Sequence, residues 1–183
     1  MKRFLAFTPL ILFAALLAVL AYYNFHKKAQ YEPRAMVGKA IPAVSLADVQ
    51  DGSESDLKSL VAGYKGPVLV NIFASWCVPC VSENPQLMAL KARGVPIIGI
   101  AWKDAPQNTL NFLAQHDDPY VKTLSDPDGR MALALGISGV PETYIVTSGG
   151  VIADKITGPI VPDTLEAVYK ETEAQGGAKN QAN

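Results

Sequence analysis

A stretch of eight mostly apolar residues leads almost directly into the only two cysteines of the chain. The stretch is Pro67–Ala74 (PVLVNIFA), and the cysteines follow as Cys77 and Cys80. A run of this length that is apolar nearly throughout is typical of a central strand covered on both faces. The residues after Cys77, to about Lys91, have helical character. The sequence therefore predicts a buried strand that turns into a helix at a C-x-x-C motif.

Strands and helices alternate along the remaining sequence. After the first helix we expect a buried strand, a helix, a short helix, a hairpin of two strands and a last helix. In that order, the predicted ranges are 94–102, 105–116, 130–135, 142–147 with 151–157, and 162–173. A parallel β-α-β unit followed by a hairpin and a helix predicts an α/β fold, with a mixed sheet and helices on both faces.

The spacing of the cysteines admits redox exchange, a structural disulfide or a metal site. Cys77 and Cys80 lie one helical turn apart, close enough to form a disulfide. The helix dipole favours the Cys77 thiolate, so that Cys77 attacks a disulfide and Cys80 resolves the mixed disulfide. A structural disulfide that closes so small a loop stabilises weakly. A structural zinc site needs four ligands, whereas the only histidines are His26 and His116. The residues favour redox exchange over the other two interpretations.

The N-terminus predicts a membrane or export segment. No charged residue occurs from Phe4 to Phe25, a run of 22 positions that follows Lys2 and Arg3. A helix of this length reaches roughly 33 Å, sufficient to cross a hydrocarbon core. A cleaved signal peptide is the alternative, with residues 19–21 as its cleavage site. We expect residues 1–25 to be an anchor, and on either interpretation the rest of the chain is exported.

The composition divides the remainder into three parts. Residues 26–39 are polar and carry Pro33 and Gly38, which is typical of a tether; residues 40–173 form the domain; and residues 174–183 are predicted to be a disordered tail. The formal net charge is −1, which offers no electrostatic reason to expect a nucleic-acid partner. The sequence predicts no metal and no other cofactor.

Residues 68–85 (VLVNIFASWCVPCVSENP) resemble the active-site strand and helix of the thioredoxin superfamily. Residues 99–120 (GIAWKDAPQNTLNFLAQHDDPY), residues 126–146 (DPDGRMALALGISGVPETYIV) and the apolar N-terminus narrow the resemblance. Together they are similar to the membrane-anchored thiol:disulfide interchange proteins of cytochrome c maturation, the CcmG/DsbE type, over about Val37 to Glu173. The resemblance implies a thioredoxin-like mixed central sheet flanked by helices, preceded by an N-terminal transmembrane helix.

The resemblance also implies roles for residues around the dithiol. Trp76 is expected to shield Cys77 and to shape a docking surface. A cis bond between Val140 and Pro141 would present the Val140 backbone beside Cys77, where an extended substrate segment can pair as an added strand. Glu142 is expected at the rim of the active-site groove, where it selects a partner or raises the pKa of Cys77 by like-charge repulsion. An ordinary exposed residue at the start of a strand is the alternative for Glu142.

Asn71 departs from the thioredoxin pattern. Thioredoxins usually carry an aspartate six residues before the first cysteine, which accepts the proton of the resolving thiol; Asn71 cannot titrate. Cys80, Glu83 and Leu87 share one helical stripe, so we expect Glu83 to point partly inward, near the disulfide. Desolvation would raise the pKa of Glu83 and suit it to general acid/base catalysis. The alternative is a solvated Glu83 that supports the start of the helix. The nearby WKD segment, residues 102–104, looks like part of the family's acidic groove.

The residues between the cysteines bear on the direction of electron flow. Strong oxidants of this superfamily place a histidine there, which stabilises the reduced form, whereas Val78 and Pro79 carry no charge. Together with the resemblance, this predicts a monomeric disulfide reductase, anchored in the inner membrane with its domain in the periplasm, that reduces the CxxCH disulfide of apocytochrome c. The resemblance implies that an integral-membrane thiol donor restores its dithiol. The alternatives are a general disulfide oxidant or isomerase, and a thiol-based module that handles copper or haem.

Overall fold

The structure, a computed structural model, describes residues 7–26 and 34–177 in two separate units. The first unit contains helix α1, Thr8–His26, in which leucine and alanine, both strong helix formers, recur. Its described side chains, to Tyr23, are exposed. The helix ends in the sequence YYNFH, which is less apolar than the residues before it.

The prediction of a transmembrane helix at residues 1–25 is not confirmed. Within the residues that the structure describes, no helix has both the length and the apolar character needed to cross a membrane. Residues 1–6 of that prediction, and residues 27–33 of the predicted tether, lie outside the described residues.

The second unit is built around one mixed sheet, as predicted. In the described residues its seven strands lie in the order β2-β1-β5-β4-β3-β6-β7. The central strands β3, β4 and β5 run parallel, whereas β1 and β6 are antiparallel to their neighbours. The bounds are β1 Ser45–Asp48, β2 Glu54–Asp56, β3 Val68–Phe73, β4 Ile97–Trp102, β5 Lys122–Asp126, β6 Glu142–Val146 and β7 Ile152–Thr157.

Helices cover both faces of the sheet. The bounds are α2 Leu57–Ala62, α3 Val78–Ala92, α4 Pro106–His116, α5 Arg130–Leu135 and α6 Pro162–Gly177. One core cluster joins β3 to α3, α4 and α6, and the other joins β3 to α2 and α5. Alternate residues of a strand point to opposite faces, so Leu69 and Phe73 belong to the first cluster and Val70 to the second. Asn71 therefore points toward the face that carries α3.

Four elements of the structure were not predicted from the sequence. They are β1, β2, α2 and β5. The sequences of β1 (SLAD), β2 (ESD) and β5 (KTLSD) are short and polar, so they carry no clear period of hydrophobicity. Helix α2 has only six residues and is capped by Asp56, whose carboxylate accepts the Ser59 N–H at 2.9 Å. The three strands lie together at one side of the sheet and extend it beyond the predicted strands, whereas α2 packs in the same core cluster as Val68 and Val70 of β3.

Two predicted boundaries differ from those observed. Residues 34–39, assigned to the tether, pack on the domain: the Gly38 N–H donates to the Ile152 carbonyl at 2.8 Å, and the Ile152 N–H donates to the Lys39 carbonyl at 2.9 Å. Helix α6 continues to Gly177, beyond the predicted end at Glu173, where the Gln175 side chain donates to Glu171 at 2.8 Å. Residues 178–183 of the predicted tail lie outside the described residues.

Candidate active site around the Cys77–Cys80 pair

The two cysteines meet where β3 leads into α3. Cys77 is the N-cap of α3, and Cys80 lies in its first turn. They form a disulfide with an S–S distance of 2.08 Å and a Cα–Cα distance of 5.3 Å, as the spacing predicts. The Cys80 backbone N–H donates to the Cys77 sulfur at 3.2 Å. The same donor and the helix dipole stabilise a thiolate at Cys77 once the disulfide is reduced.

The disulfide lies just beneath an exposed apolar surface. Cys77 is only 4% exposed, whereas its neighbours Trp76 and Val78 are 56% and 76% exposed. The Trp76 indole N–H donates to the Lys103 carbonyl at 3.3 Å, and its ring centre lies 5.9 Å from that of Trp102. Large exposed side chains beside a reactive group are typical of a surface that binds another protein.

Asp104 is a buried link and not part of an open acidic groove. It is 5% exposed, and its two carboxylate oxygens accept the Ser75 N–H at 2.7 Å and the Ser75 hydroxyl at 2.9 Å. The Thr109 hydroxyl also donates to Asp104, at 3.1 Å. Asp104 thus ties the residues just before Cys77 to the start of α4, a role that the sequence analysis missed because the partners lie far apart in the chain.

Glu83 lies inside the protein, and the solvated alternative is excluded. Its exposed fraction is zero. One carboxylate oxygen accepts a hydrogen bond from the Asn71 side-chain amide at 2.9 Å, and the other accepts the Ile160 backbone N–H at 3.0 Å. The same amide nitrogen of Asn71 also donates to the Thr143 hydroxyl at 3.0 Å. The amide at the position of the thioredoxin aspartate therefore holds a carboxyl group supplied by α3.

Tyr120 fixes the orientation of that amide. Its hydroxyl donates to the Asn71 side-chain oxygen at 2.8 Å, which leaves the amide nitrogen facing Glu83. The Tyr120 ring stacks on Phe73 at 4.8 Å and crosses the backbone at Gly99, where a Cβ atom would lie 2.9 Å from the ring. A glycine inside a strand is a signal of such a close approach, but it does not say which side chain approaches.

The pKa of Glu83 is determined mainly by its burial. Loss of solvent raises the pKa of Glu83 from an ordinary value of 4.5 to about 7, and the hydrogen bonds from Asn71 and Ile160 oppose that rise. Both protonation states are therefore populated near neutral pH. Glu83 follows Cys80 by three residues on the same helical face. The group has the pKa and the placement of a candidate acid or base for the resolving thiol.

Val140 and Pro141 lie beside the end of β3. The bond between them is cis, as the resemblance implies. Pro141 is buried, and the half-buried Val140 packs against both core clusters. Because Ile72 of β3 pairs with Glu142 of β6, Pro141 lies next to the end of β3 that leads to Cys77.

Glu142 is not at the rim of a groove, which corrects the expectation from the resemblance. It is 1% exposed, and its carboxylate lies 2.7 Å from the ammonium group of Lys155, which is also 1% exposed at its side chain. Strand β6 is paired on both sides, so the first residue of the strand is already inside the sheet. The Lys155 charge compensates that of Glu142, which removes the basis for repulsion of the Cys77 thiolate. Buried lysines are rare, so the sequence did not indicate this partner.

Possible metal ligands do not converge near the disulfide. In residues 7–26 and 34–177, no group of three or more histidine, cysteine, aspartate or glutamate side chains is placed to hold a metal ion. Asp126, in the DPDG segment, instead accepts the backbone N–H groups of Met131 and Ala132 at 3.2 and 2.9 Å and so caps the start of α5.

Comparisons with known proteins agree with this arrangement. The sequence model of the redoxin family matches residues 36–171. The chain is 36% identical over 165 residues to the thiol:disulfide interchange protein HelX of Rhodobacter capsulatus, which covers 90% of this chain and 93% of that protein. It is 39% identical over 177 residues to the thiol:disulfide interchange protein DsbE of Pseudomonas fluorescens biotype C, with 93% and 96% covered.

Solved structures agree on the fold. A crystal structure of a DsbE-type thiol:disulfide interchange protein from Chlorobium tepidum superposes with a TM-score of 0.65 at 23% identity, and covers 76% of this chain and 97% of that one. The match confirms the thioredoxin-like arrangement of sheet and helices. The redoxin model and the sequence relatives show that the chain belongs to the redoxin family, as a thiol:disulfide oxidoreductase homologous to the DsbE-type interchange proteins.

Proposed function

We propose that the protein is a disulfide reductase that acts on the CxxCH segment of apocytochrome c during cytochrome c maturation. The observation that carries the proposal is the Cys77–Cys80 pair at a helix N-terminus, with Glu83 buried one turn further along. Similarity to interchange proteins over nearly the whole chain supports the reaction class. The resemblance to the CcmG/DsbE type supports the choice of substrate.

In the first step, the substrate becomes covalently linked to the protein. In the reduced state, the Cys77 thiolate attacks one sulfur of the substrate disulfide. A mixed disulfide forms between Cys77 and the substrate, and the second substrate sulfur leaves as a thiolate that takes a proton from water. Trp76, exposed beside Cys77, supplies docking surface, and the backbone of Val140 pairs with the extended substrate segment.

The second step releases the reduced substrate. The Cys80 thiol gives its proton to the Glu83 carboxylate, and the resulting thiolate attacks the Cys77 sulfur of the mixed disulfide. The remaining substrate sulfur leaves with its electron pair and is protonated by water, while Glu83 passes its proton to solvent. Two electrons have moved from the protein dithiol to the substrate, and the protein is left in the disulfide form. An integral-membrane thiol donor returns two electrons and restores the dithiol.

The same proposal places the domain in the periplasm, at the inner membrane. Its support is the uncharged run from Phe4 to Phe25, which begins before the described residues. Fractionation of cells that produce the full chain with a C-terminal tag tests it. Protease access to the tag from the periplasm is the expected result, and membrane retention or release tells an anchor from a cleaved signal. A tag protected in the cytoplasm would contradict the proposed location.

Peptide reduction tests the reaction itself. Reduced full-length protein is mixed with an oxidised peptide that contains C-x-x-C-H, and peptide thiols are counted. We expect one peptide disulfide reduced per protein, no reaction with Cys77→Ser, and a trapped mixed disulfide with Cys80→Ser. A matched peptide with alanine in place of histidine tests whether the haem-binding residue contributes to recognition. If the oxidised protein instead converts the dithiol peptide to a disulfide, the protein is an oxidant.

The reduction potential gives an independent test of direction. Equilibration of the Cys77–Cys80 couple with glutathione is expected to give a value of roughly −200 to −270 mV, toward the thioredoxin end of the scale. A value near about −120 mV is that of a strong oxidant, and the reductase proposal would then be abandoned.

A further inference from the structure

A buried ion pair lies directly beneath the segment that precedes Pro141. Glu142 and Lys155 are 2.7 Å apart, and both side chains are 1% exposed. They stand on neighbouring strands, two positions out of register on one face, because Lys155 pairs with Tyr144. Desolvation of two charges offsets most of their attraction, so a buried pair of this kind is weak support for stability by itself. Its other contacts indicate what it does.

The carboxylate of Glu142 holds Ser138. One of its oxygens accepts the Ser138 backbone N–H at 3.1 Å and the Ser138 hydroxyl at 2.6 Å. The other oxygen contacts Lys155 and the hydroxyl of Tyr144, the latter at 3.3 Å. Glu142 thus fixes the backbone of Ser138, which lies four residues earlier in the sequence.

The ammonium group of Lys155 holds the other end of the same segment. It donates to the Gly136 carbonyl at 3.4 Å, at the point where α5 ends. Gly136 has a φ of 65°, a left-handed conformation that favours glycine, so the chain turns sharply here. Tyr144 adds a contact to the Leu135 carbonyl at 3.2 Å. Residues 136–138 are therefore attached at both ends to one charged pair.

One residue of this segment lines a groove that is linked to the disulfide region through two tryptophans. Ile137 lines an open groove of about 240 Å³ together with Trp102 and Leu133. Trp102 is the ring that packs against Trp76, the residue before Cys77. At its far end, the segment leads into Val140, whose backbone pairs with the extended substrate in the proposed function. The conformation of residues 136–140 therefore shapes the surface that a substrate segment meets.

We propose that Lys155 and Ser138 are positioning residues, which act through Glu142 to hold residues 136–140 in the conformation that binds the substrate. The inference rests on the proposed function, since it names residues that serve the same site. It differs from the expected role of Glu142 as a surface residue that contacts the partner: the charged pair stays inside and acts on the backbone above it. A displaced segment weakens substrate binding but leaves the dithiol chemistry intact.

Steady-state kinetics of the full-length protein test the proposal. The double variant Lys155→Met/Glu142→Gln removes both charges and leaves no unpaired one, and Ser138→Ala removes a single hydroxyl. With an oxidised C-x-x-C-H peptide and excess reductant, we expect the double variant to raise KM by about tenfold. We expect Ser138→Ala to raise KM by about threefold, the effect of one lost hydrogen bond. In both, kcat and the thiol–disulfide equilibrium with glutathione are expected to stay at the wild-type level.

A second ion pair provides a control; its side chains are 25% and 10% exposed, against 1% for each side chain of the Glu142–Lys155 pair. Lys122 and Asp48 are 2.8 Å apart on β5 and β1, at the amino end of β5 and away from the disulfide. The variant Lys122→Met/Asp48→Asn is expected to leave KM unchanged. Should it raise KM as much as the Lys155→Met/Glu142→Gln variant does, loss of stability and not position would explain the effect.

The outcomes separate this inference from the proposed function. If the wild-type protein does not reduce the peptide, the proposed function fails before any variant is compared. If the wild type is active and the folded double variant keeps its KM, the pair does not position the segment. A shifted glutathione equilibrium would mean that the pair acts on the dithiol, which also contradicts the proposal. If the double variant does not fold, an unchanged KM for Ser138→Ala overturns it.

Discussion

Two buried glutamates flank the active site, and their surroundings differ in one respect. Glu83, on α3, receives its hydrogen bonds from neutral donors, the Asn71 amide and the Ile160 backbone. Glu142, on β6, lies 2.7 Å from the charged ammonium group of Lys155. Both are almost fully removed from solvent, with exposed fractions of 0% and 1%. Both glutamates are therefore buried, but only Glu142 has a charged partner.

The difference bears on which of the two carboxyl groups is suited to gain and lose a proton. With only neutral donors, loss of solvent raises the pKa of Glu83 to about 7, so that a proton can be gained and lost during turnover. With a cation beside it, Glu142 is one half of a fixed pair whose remaining contacts go to the backbone. In the proposed mechanism, Glu83 moves a proton, whereas Glu142 holds a segment of chain.

Removal of the charge beside Glu142 is expected to have the largest effect on stability. Lys155→Met leaves an uncompensated buried carboxylate, and we expect the free energy of unfolding to fall by about 3–5 kcal/mol. Denaturant unfolding of the oxidised protein measures it. The control is Lys155→Met/Glu142→Gln, which should recover most of the loss because no charge is left unpaired. Equal losses in the two variants would mean that the charge of Glu142 is not what matters.

Glu83 should make the protein less stable as the pH rises toward neutrality. The unfolded chain loses the proton of this residue near pH 4.5, whereas the folded protein keeps it to about pH 7. Between these values the folded state binds more protons, so the free energy of unfolding falls by about 3 kcal/mol and then levels off. The measurement is denaturant unfolding of the oxidised protein across this range, for the wild type and for Glu83→Gln. If the free energy of unfolding of the wild type varied with pH in parallel with that of the variant, the raised pKa of Glu83 would be contradicted.

The same substitution should slow the release of substrate. Without a carboxylate to take the Cys80 proton, Glu83→Gln is expected to lower the rate of mixed-disulfide resolution by about 100-fold near neutral pH. Stopped-flow measurement of product thiols, with the rate of Cys77 attack as an internal reference, checks this. The pH dependence with a midpoint near 7 should also disappear. An unchanged pH profile of Cys80 reactivity, with unchanged rates, would take Glu83 out of the mechanism.

Two single tyrosine substitutions, compared with each other, are expected to have the smallest and most selective effect. Tyr120→Phe removes the donor to Asn71 and leaves a buried amide oxygen unpaired, at a cost of about 1 kcal/mol. Because Asn71 is then less firmly oriented toward Glu83, the pKa of Glu83 should rise further, and the pH midpoint of resolution with it. Tyr144→Phe removes a buried hydroxyl near Glu142 and should leave that midpoint in place. Equal shifts in the two variants would show that the two sites are not independent.

Much of the site follows from local sequence pattern. The stripe of Cys80, Glu83 and Leu87 placed Glu83 on the buried face of α3, and the apolar run Pro67–Ala74 placed the cysteines at the end of a central strand. Helical period and strand burial are properties of near neighbours in the chain. The unpredicted β5 shows the limit of such patterns, since its polar residues are buried only by the sheet around them.

Local sequence pattern does not predict the partners of the charged groups. Lys155 meets Glu142 through the register of β6 and β7, and Asp104 meets Ser75 across the ends of two strands. Tyr120 reaches Asn71 only because the backbone at Gly99 lets its ring pass. Each contact joins residues that no periodicity relates. This is why Glu142 was expected at the surface, although its burial follows at once from the pairing of β6 on both sides.

The sequence by itself determined the fold class, the redox pair and the helix face on which Glu83 lies. These depend on period, motif spacing and composition, which are written in short stretches of chain. Only the tertiary structure decided which buried carboxyl group meets a cation and which meets neutral donors. The pKa of a buried group depends on the charges within a few ångströms of it, and those neighbours are set by packing between distant segments.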